Sequence, residues 1–334
     1  MHLSPIFVQL FHAFPYIWPE NINLWICMVE KILNFNDLTE NLQQQGRRCS
    51  VAVVCATDAE TQYAVLRAAR EGFVTAIFVG GEQEVRQNPD FAAVANEVRF
   101  VAASDAREAA EKAVALVRSG EAQVLMKGLL NTDVLLHAVL NKEHGILAKG
   151  RVLTHLACAQ LDNYPRLLFF TDAAVIPYPT PEQRREQVRY TVRVCHAFGI
   201  DTPRVSLIHC SEQVNEKFFP FTVDYPQIVA EAQAGSFGQC IVDGPLDVKT
   251  SCSLEALQHK GLQSPINGAA DVLVFPDIEA GNTFYKAVTL FAHANMACML
   301  QGSDAPVVLT SRGDSKESKY YSLALAVKSI HNDN

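Results

Sequence analysis

Residues 50–81, SVAVVCATDAETQYAVLRAAREGFVTAIFVGG, decide the fold class. SVAVVCA (50–56) is an apolar, β-branched run of strand length. AETQYAVLRAAREG (59–72) changes to helical spacing and ends on a glycine that suits a helix C-cap. FVTAIFVGG (73–81) returns to the strand pattern and stops in turn glycines. Strand, helix and strand in this order form a β-α-β unit, in which the two strands lie parallel.

The same rhythm runs outward from this unit. VRFVAA (98–103) reads as a third strand, DAREAAEKAVALVRSG (105–120) as an amphipathic helix closed by Ser-Gly, and QVLMKG (123–128) as another buried strand. Beyond residue 151, strand-like RVLTHLAC, RLLFFTDAAV, RVSLIHC, QCIVDGP and DVLVFPDIE alternate with helical REQVRYTVRVCHAFG, SLEALQHKG and NTFYKAVTLFAHANMACML. PVVLTS (306–311) is the final strand and SKESKYYSLALAVKSI the last helix. The expectation is an α/β protein with a doubly wound, largely parallel sheet. At 334 residues the chain suits two domains, with a hinge near Gly145 and Gly150.

Upstream, MVEKILNFNDLTENLQQQ from Met28 reads as an amphipathic helix entering the first strand. Residues 1–27 are rich in aromatics, lack a basic start and carry Pro5, Pro15 and Pro19. They fit neither a signal peptide nor a membrane span, and the expectation is a non-native extension with Met28 as initiator.

Composition narrows the function. Hydrophobic residues make up 49% and charged residues 19%, as in globular proteins, and the net charge is −8. No basic stripe points to nucleic acid. Anionic small ligands stay open, because they need only a local cation and backbone N–H groups. The nine cysteines form no CxxC pair and read as small buried hydrophobes of a reducing cytoplasm. No metal-ligand spacing is present. GxxxxGK[ST], GxGxxG after a strand and GxSxG are all missing, which disfavours a P-loop, the usual dinucleotide turn and a hydrolase nucleophile elbow.

In open α/β sheets ligands collect beyond the carboxyl ends of strands. Here those ends are polar clusters: Met126-Lys127-Gly128, Thr171-Asp172, Asp243-Gly244-Pro245, residues 276–282 and residues 310–315. Arg312 offers a bidentate fork for phosphate oxygens between a buried strand and a helix N-terminus, and Gly313 admits close backbone approach. The competing reading is a plain junction with Arg312 solvated. Asp314-Ser-Lys-Glu317 has the form of a capping box with Asp314 as N-cap, which competes with a proton-transfer role for either carboxylate. Lys127 is a candidate anion ligand or a rim lysine. Asn282 reads as the N-cap of a helix whose first turn holds Tyr285 and Lys286, where a cation opposes the helix dipole and so wants another purpose. His155, His209 and His293 lie in apolar runs and read as satisfied core histidines.

Together the segments VLMKGLLNT (124–132), VLTHLA (152–157), FTDAAVIPYP (170–179), IVDGPLDV (241–248), FPDIEAGNTFYK (275–286) and APVVLTSRGDS (305–315) resemble the phosphate acetyltransferase/phosphate butyryltransferase family, closer to the butyryl branch. The likeness covers residues 50–330. It implies a two-domain α/β/α architecture related to the isocitrate and isopropylmalate dehydrogenases, with residues 28–150 and 302–334 forming one domain and 151–301 the other. It implies a cytoplasmic homodimer or higher homo-oligomer that binds neither nucleic acid nor membrane. The implied reaction is acyl-CoA + phosphate ⇌ acyl phosphate + CoA, with coenzyme A and phosphate as substrates and no metal or other cofactor.

By the same resemblance Ser311 hydrogen-bonds the CoA sulfur and Arg312 holds the phosphoryl group. Asp314 and Glu317 are the expected catalytic carboxylates. Lys127, Gly128, Thr171, Asp172, Asp277, Glu279, Gly281, Asn282, Tyr285 and Lys286 are the expected substrate- and phosphate-binding set. One departure stands out. The acetyl branch places a carboxylate seven residues beyond its serine, where this chain has Ser318, so Asp314 and Glu317 are the nearest substitutes for the thiol base. Two other functions compete. One is a metal- and NAD-dependent dehydrogenase of this architecture, which would need converging aspartates that the sequence does not offer. The other is a non-catalytic binding subunit.

Overall fold

The structure, a computed structural model, describes residues 31–310 and 313–330. The helix read from Met28 onward begins at Phe35 and runs as α1, Phe35–Gln44. In chain order there follow β1 (Cys49–Val54), α2 (Ala59–Arg70), β2 (Val74–Val79), α3 (Glu82–Arg86), β3 (Val98–Val101), α4 (Ala106–Arg118), β4 (Val124–Lys127) and α5 (Thr132–Val139). The next elements are β5 (Thr154–Gln160), β6 (Leu168–Thr171), α6 (Pro181–Ala197), β7 (Arg204–Ile208), α7 (Tyr225–Gln233), β8 (Ile241–Leu246), α8 (Val248–Cys252) and α9 (Leu254–His259). The chain ends with β9 (Val272–Val274), α10 (Ile278–Phe291), β10 (Asn295–Gln301), β11 (Val307–Val308) and α11 (Lys316–Ser329).

The strands form one mixed sheet in the order β3-β2-β1-β4-β11-β10-β5-β6-β9-β7-β8. Most neighbours are parallel; β10 pairs antiparallel with β11 and β5, and β5 antiparallel with β6. The α/β class and largely parallel sheet expected from the sequence are observed. Alternation along β1 explains why both faces are covered. Val51 and Val53 pack with α2 and with Tyr320 and Leu323 of α11, whereas Ala52 and Val54 pack with Ala109, Ala110 and Ala113 of α4. Each valine so buried contributes about 1.5–3 kcal/mol. Side-chain caps fix the helix starts: Asp58 for α2, Asp105 for α4, and a Thr180–Gln183 capping box with Pro181 at the first helical position for α6.

Two sequence expectations are corrected here. Residues 282–300 are not one helix: α10 stops at Phe291, His293 takes φ 49°, and NMACMLQ is strand β10. All of β10 except Asn295 is buried, and such a short charge-free run has no periodicity that separates helix from strand. Asp243-Gly244-Pro245 is not a strand end, because β8 continues through it to Leu246. A Cβ on Gly244 would lie 2.6 Å from the Leu207 carbonyl oxygen, so that glycine serves close approach of β8 to β7.

Candidate active site

Four strand ends send residues into one cleft of about 270 Å³. Thr132 follows β4, Ala173 and Ala174 follow β6, and Leu309, Thr310 and Asp314 follow β11. Asn282, Tyr285 and Lys286 come from α10, the helix after β9. His155 of β5 and Cys298 of β10 complete the wall. A larger hollow of about 640 Å³, near Arg151, Arg189 and Arg193, shares no residue with the strand-end clusters.

The placement of α10 explains three expected site residues and corrects two readings. Its N-cap is Asp277, whose Oδ1 accepts from Ala280 N at 2.8 Å, and not Asn282. Tyr285 and Lys286 therefore lie beyond the first turn, away from the positive end of the helix dipole. Gly281 is buried, and a Cβ there would fall 2.1 Å from the Asp172 carbonyl oxygen, so only glycine lets α10 press onto the β6 end. Asn282 Nδ2 donates to Ala173 O at 2.9 Å across the same contact. With this seating, residues 282, 285 and 286 share one helix face toward the cleft. Lys286 Nζ stands 4.9 Å from the centre of the Tyr285 ring. Glu279 is exposed in the first turn and is not among the cleft-lining residues.

Asp172 lies beneath the cleft rather than in it. Its Oδ1 accepts from Ala174 N and Val175 N at 2.8 and 2.9 Å. Oδ2 accepts from Thr154 Oγ1 at 2.8 Å, His155 N at 3.1 Å and Ile176 N at 3.3 Å. Thr171 is fully buried beside Thr154, with hydroxyls 3.1 Å apart. These two residues hold the β6 turn on β5. Lys127 is buried at the end of β4, its Nζ 3.4 Å from Gly128 O, and is not a rim lysine. Gly128 abuts β1, since a Cβ there would stand 2.4 Å from Cys55 O. Neither lines the cleft.

Ser311 and Arg312 lie outside the described residues. Their neighbours are informative. The N-cap of α11 is Ser315, whose hydroxyl accepts from Ser318 N at 3.1 Å, so the expected Asp314–Glu317 capping box is not formed. Sequence favoured Asp because the box pattern fits one residue earlier, but Ser caps equally well. The shift leaves Asp314 among the cleft residues. Glu317 stands 3.9 Å from Lys316 and does not line the cleft. Downstream, buried Lys319 bonds Asp58 Oδ1 at 2.6 Å and Thr61 Oγ1 at 3.1 Å, which fastens α11 to the start of α2.

Two site residues escaped the sequence reading. His155 is buried, its Nδ1 has no hydrogen-bond partner among the described residues, and it borders the cleft. Burial pushes its pKa down, opposed by Asp172 and then Asp314, so the imidazole favours its neutral form. Cys298, read as a buried small hydrophobe, is buried, but its place in the cleft wall was missed because β10 was taken as helix. Burial and then Asp314 push its thiol up to about 12. Burial, Cys298 and Asp314 likewise hold the Tyr285 hydroxyl well above the usual phenol value. The signal available in the sequence was a His followed directly by the apolar run Leu156–Ala159 within one strand. Cys210, read with the buried cysteines, is exposed. Among the described residues no three His, Cys, Asp or Glu are grouped to hold a metal ion, and no helix is long and apolar enough to cross a membrane.

The family described as phosphate acetyl/butaryl transferase matches residues 96–327. Phosphate butyryltransferase of Clostridium acetobutylicum is 38% identical over 296 residues, 88% of this chain and 97% of that protein. Phosphate acetyltransferase of Thermotoga maritima is 36% identical over 282 residues, 84% and 95% of the two chains. A solved branched-chain phosphotransacylase from Enterococcus faecalis superposes with TM-score 0.74 at 33% identity, covering 85% of this chain and 99% of that one. The family match spans the segments that build the cleft, and this chain belongs to the phosphate acetyl/butyryl transferase family of phosphate acyltransferases.

Proposed function

We propose that the cleft carries out acyl-CoA + phosphate ⇌ acyl phosphate + CoA on a short acyl group, of the four-carbon class. The observation that carries this reading is the make-up of the cleft. Small apolar walls, Ala173, Ala174, Cys298 and Leu309, stand beside Lys286, Tyr285 and Asp314. An acyl chain rests against the former while the carbonyl and phosphate meet the latter. The butyryl and branched-chain relatives support a chain longer than acetyl. Ser311 is proposed to steady the CoA sulfur and Arg312 to hold the phosphoryl group. Thr310 and Asp314, which flank them in the chain, line the cleft and support that assignment. Holding both substrates in line supplies on the order of 7–11 kcal/mol of barrier lowering in favourable cases.

Asp277, Gly281 and Asn282 act by seating α10; Asp172 and Thr171 act by holding the β6 turn. We propose a division into residues 28–150 with 302–334 and residues 151–301. It is supported by the pairing of β11 with β4 and the Lys319–Asp58 link. A cytoplasmic homodimer completes the reading.

Thiol release from acetyl-, propionyl-, butyryl-, isobutyryl- and hexanoyl-CoA with phosphate tests it. Butyryl- or isobutyryl-CoA is expected to give the highest kcat/KM. Absence of phosphate-dependent release from every substrate sinks the reading. Arg312→Ala is expected to raise the phosphate KM and lower kcat; an unchanged phosphate dependence moves the anion site elsewhere.

A further inference from the structure

The reaction RCO–OPO₃²⁻ + CoA–SH → RCO–S–CoA + HPO₄²⁻ moves one proton. The C–S bond forms, the C–O bond breaks with its electron pair going to phosphate oxygen, and the thiol proton ends on that oxygen. No proton is gained or lost overall. A group that takes the proton from sulfur and returns it to phosphate within one turnover therefore matches the stoichiometry, whichever direction is run.

Building on the acyltransfer reading, we propose that His155 is that group. It accepts the thiol proton as sulfur attacks the acyl phosphate carbonyl and gives it to the departing phosphate. Three observations lead there. His155 borders the cleft beside Thr310 and Asp314, the residues on either side of Ser311, Arg312 and Gly313 in the chain. Its Nδ1 is buried with no partner among the described residues, a costly arrangement that a bound substrate would relieve. Its backbone is fixed: His155 N donates to Asp172 Oδ2, and the residue pairs with Leu300 in the sheet, so the ring is held on a rigid strand.

The electrostatics agree with a shuttle. Burial keeps the imidazole neutral and able to accept, while Asp172 and Asp314 favour the imidazolium once it forms. Among the described residues the other titratable groups facing this volume are Tyr285, Lys286 and Cys298. Tyr285 and Cys298 are held protonated by burial, which removes them as bases near neutral pH. Glu317 stays outside the cleft.

The test uses the full chain and its His155→Gln and His155→Ala variants, assayed from pH 5 to 9 in both directions, with melting temperatures recorded. A kcat loss of about 100-fold or more is expected, with KM values within a few fold. In the wild type, kcat falls at acid pH as the imidazole charges, below the usual histidine value of about 6.5. That limb disappears in His155→Gln, and added imidazole restores part of the rate to His155→Ala. A positioning role alone would move KM and leave the pH profile intact. Variants within about 3-fold of wild type, or an unchanged profile, overturn the assignment. Should both variants unfold, a wild-type kcat with no solvent deuterium isotope effect, which shows no proton moving in the rate-limiting acyl transfer, overturns it equally. Wild-type turnover is measured first in the same assay: its absence removes the acyltransfer reading itself, whereas turnover with indifferent variants removes only His155.

Discussion

Asp172 and His155 sit one hydrogen bond apart at the base of the cleft, both buried, and are treated oppositely by their surroundings. Asp172 accepts five hydrogen bonds, more than the four lone-pair sites of a carboxylate comfortably serve. The His155 ring keeps a buried nitrogen without a partner among the described residues. A satisfied buried group rigidifies the fold around it, whereas an unsatisfied one beside a cleft is a group waiting for a ligand. Polarity alone does not separate the two roles. Hydrogen-bond accounting does.

Breaking the satisfied member should produce the largest change. Asp172→Ala takes the acceptor from four backbone N–H groups and leaves the Thr154 hydroxyl only its Thr171 neighbour at 3.1 Å. The buried donors, His155 N and Ile176 N, cost about 1–3 kcal/mol each and the part-buried Ala174 N and Val175 N less, for a total near 4–5 kcal/mol. Denaturant unfolding checks this: a loss under about 1 kcal/mol would mean that the β6 turn is held by something else. His155→Gln should cost far less stability, so the pair of variants separates scaffold from chemistry.

The same accounting explains how much the sequence could tell. The β-α-β rhythm was legible because strands and helices of this sheet are buried on fixed faces with the expected periods. The strand-end rule found α10, the β6 turn and the 310–315 corner. It could not tell Asp172 from Asp314, because both are acidic residues that follow a strand, and only the fold shows that Asp172 is taken up by five donors beneath the cleft while Asp314 lines it. Cap positions slipped, Asn282 for Asp277 and Asp314 for Ser315, since Asp, Asn and Ser are all good caps and lie close together. Strand β10 was missed because a short buried run without charges has no period to read, and the place of Cys298 in the cleft wall was missed with it.

The Lys319–Asp58 pair tests the scaffold side at a second place. Both side chains are largely buried, and Asp58 also caps α2 through Thr61 N at 2.9 Å. Although burial alone raises the Asp58 pKa, its hydrogen bonds to Lys319 and Thr61 outweigh that and hold it below the usual value. A depressed carboxyl pKa stabilises the fold above the unfolded value of about 3.9 and loses that contribution as pH falls through the folded value. Asp58→Asn should therefore cost about 2–3 kcal/mol near neutral pH, less than Asp172→Ala because the amide oxygen can still cap the helix. The difference from wild type should narrow below about pH 4. A gap that is constant with pH would assign the loss to packing and not to charge.

The smallest expected effect lies on the ligand side. Cys298 is protonated at any ordinary pH, so its part in the cleft is that of a small apolar wall. Cys298→Val swaps sulfur for two methyl groups in a central strand, where β-branched side chains fit well, and should leave stability within about 1 kcal/mol. The added carbon narrows the space assigned to the far end of a four-carbon chain while leaving room for acetyl. One methylene in an apolar pocket decides about 10–200-fold in specificity, so kcat/KM for butyryl-CoA should fall about 10-fold relative to acetyl-CoA. An equal fall for both substrates would place the acyl chain elsewhere and return Cys298 to the satisfied, structural side of the comparison with Asp172.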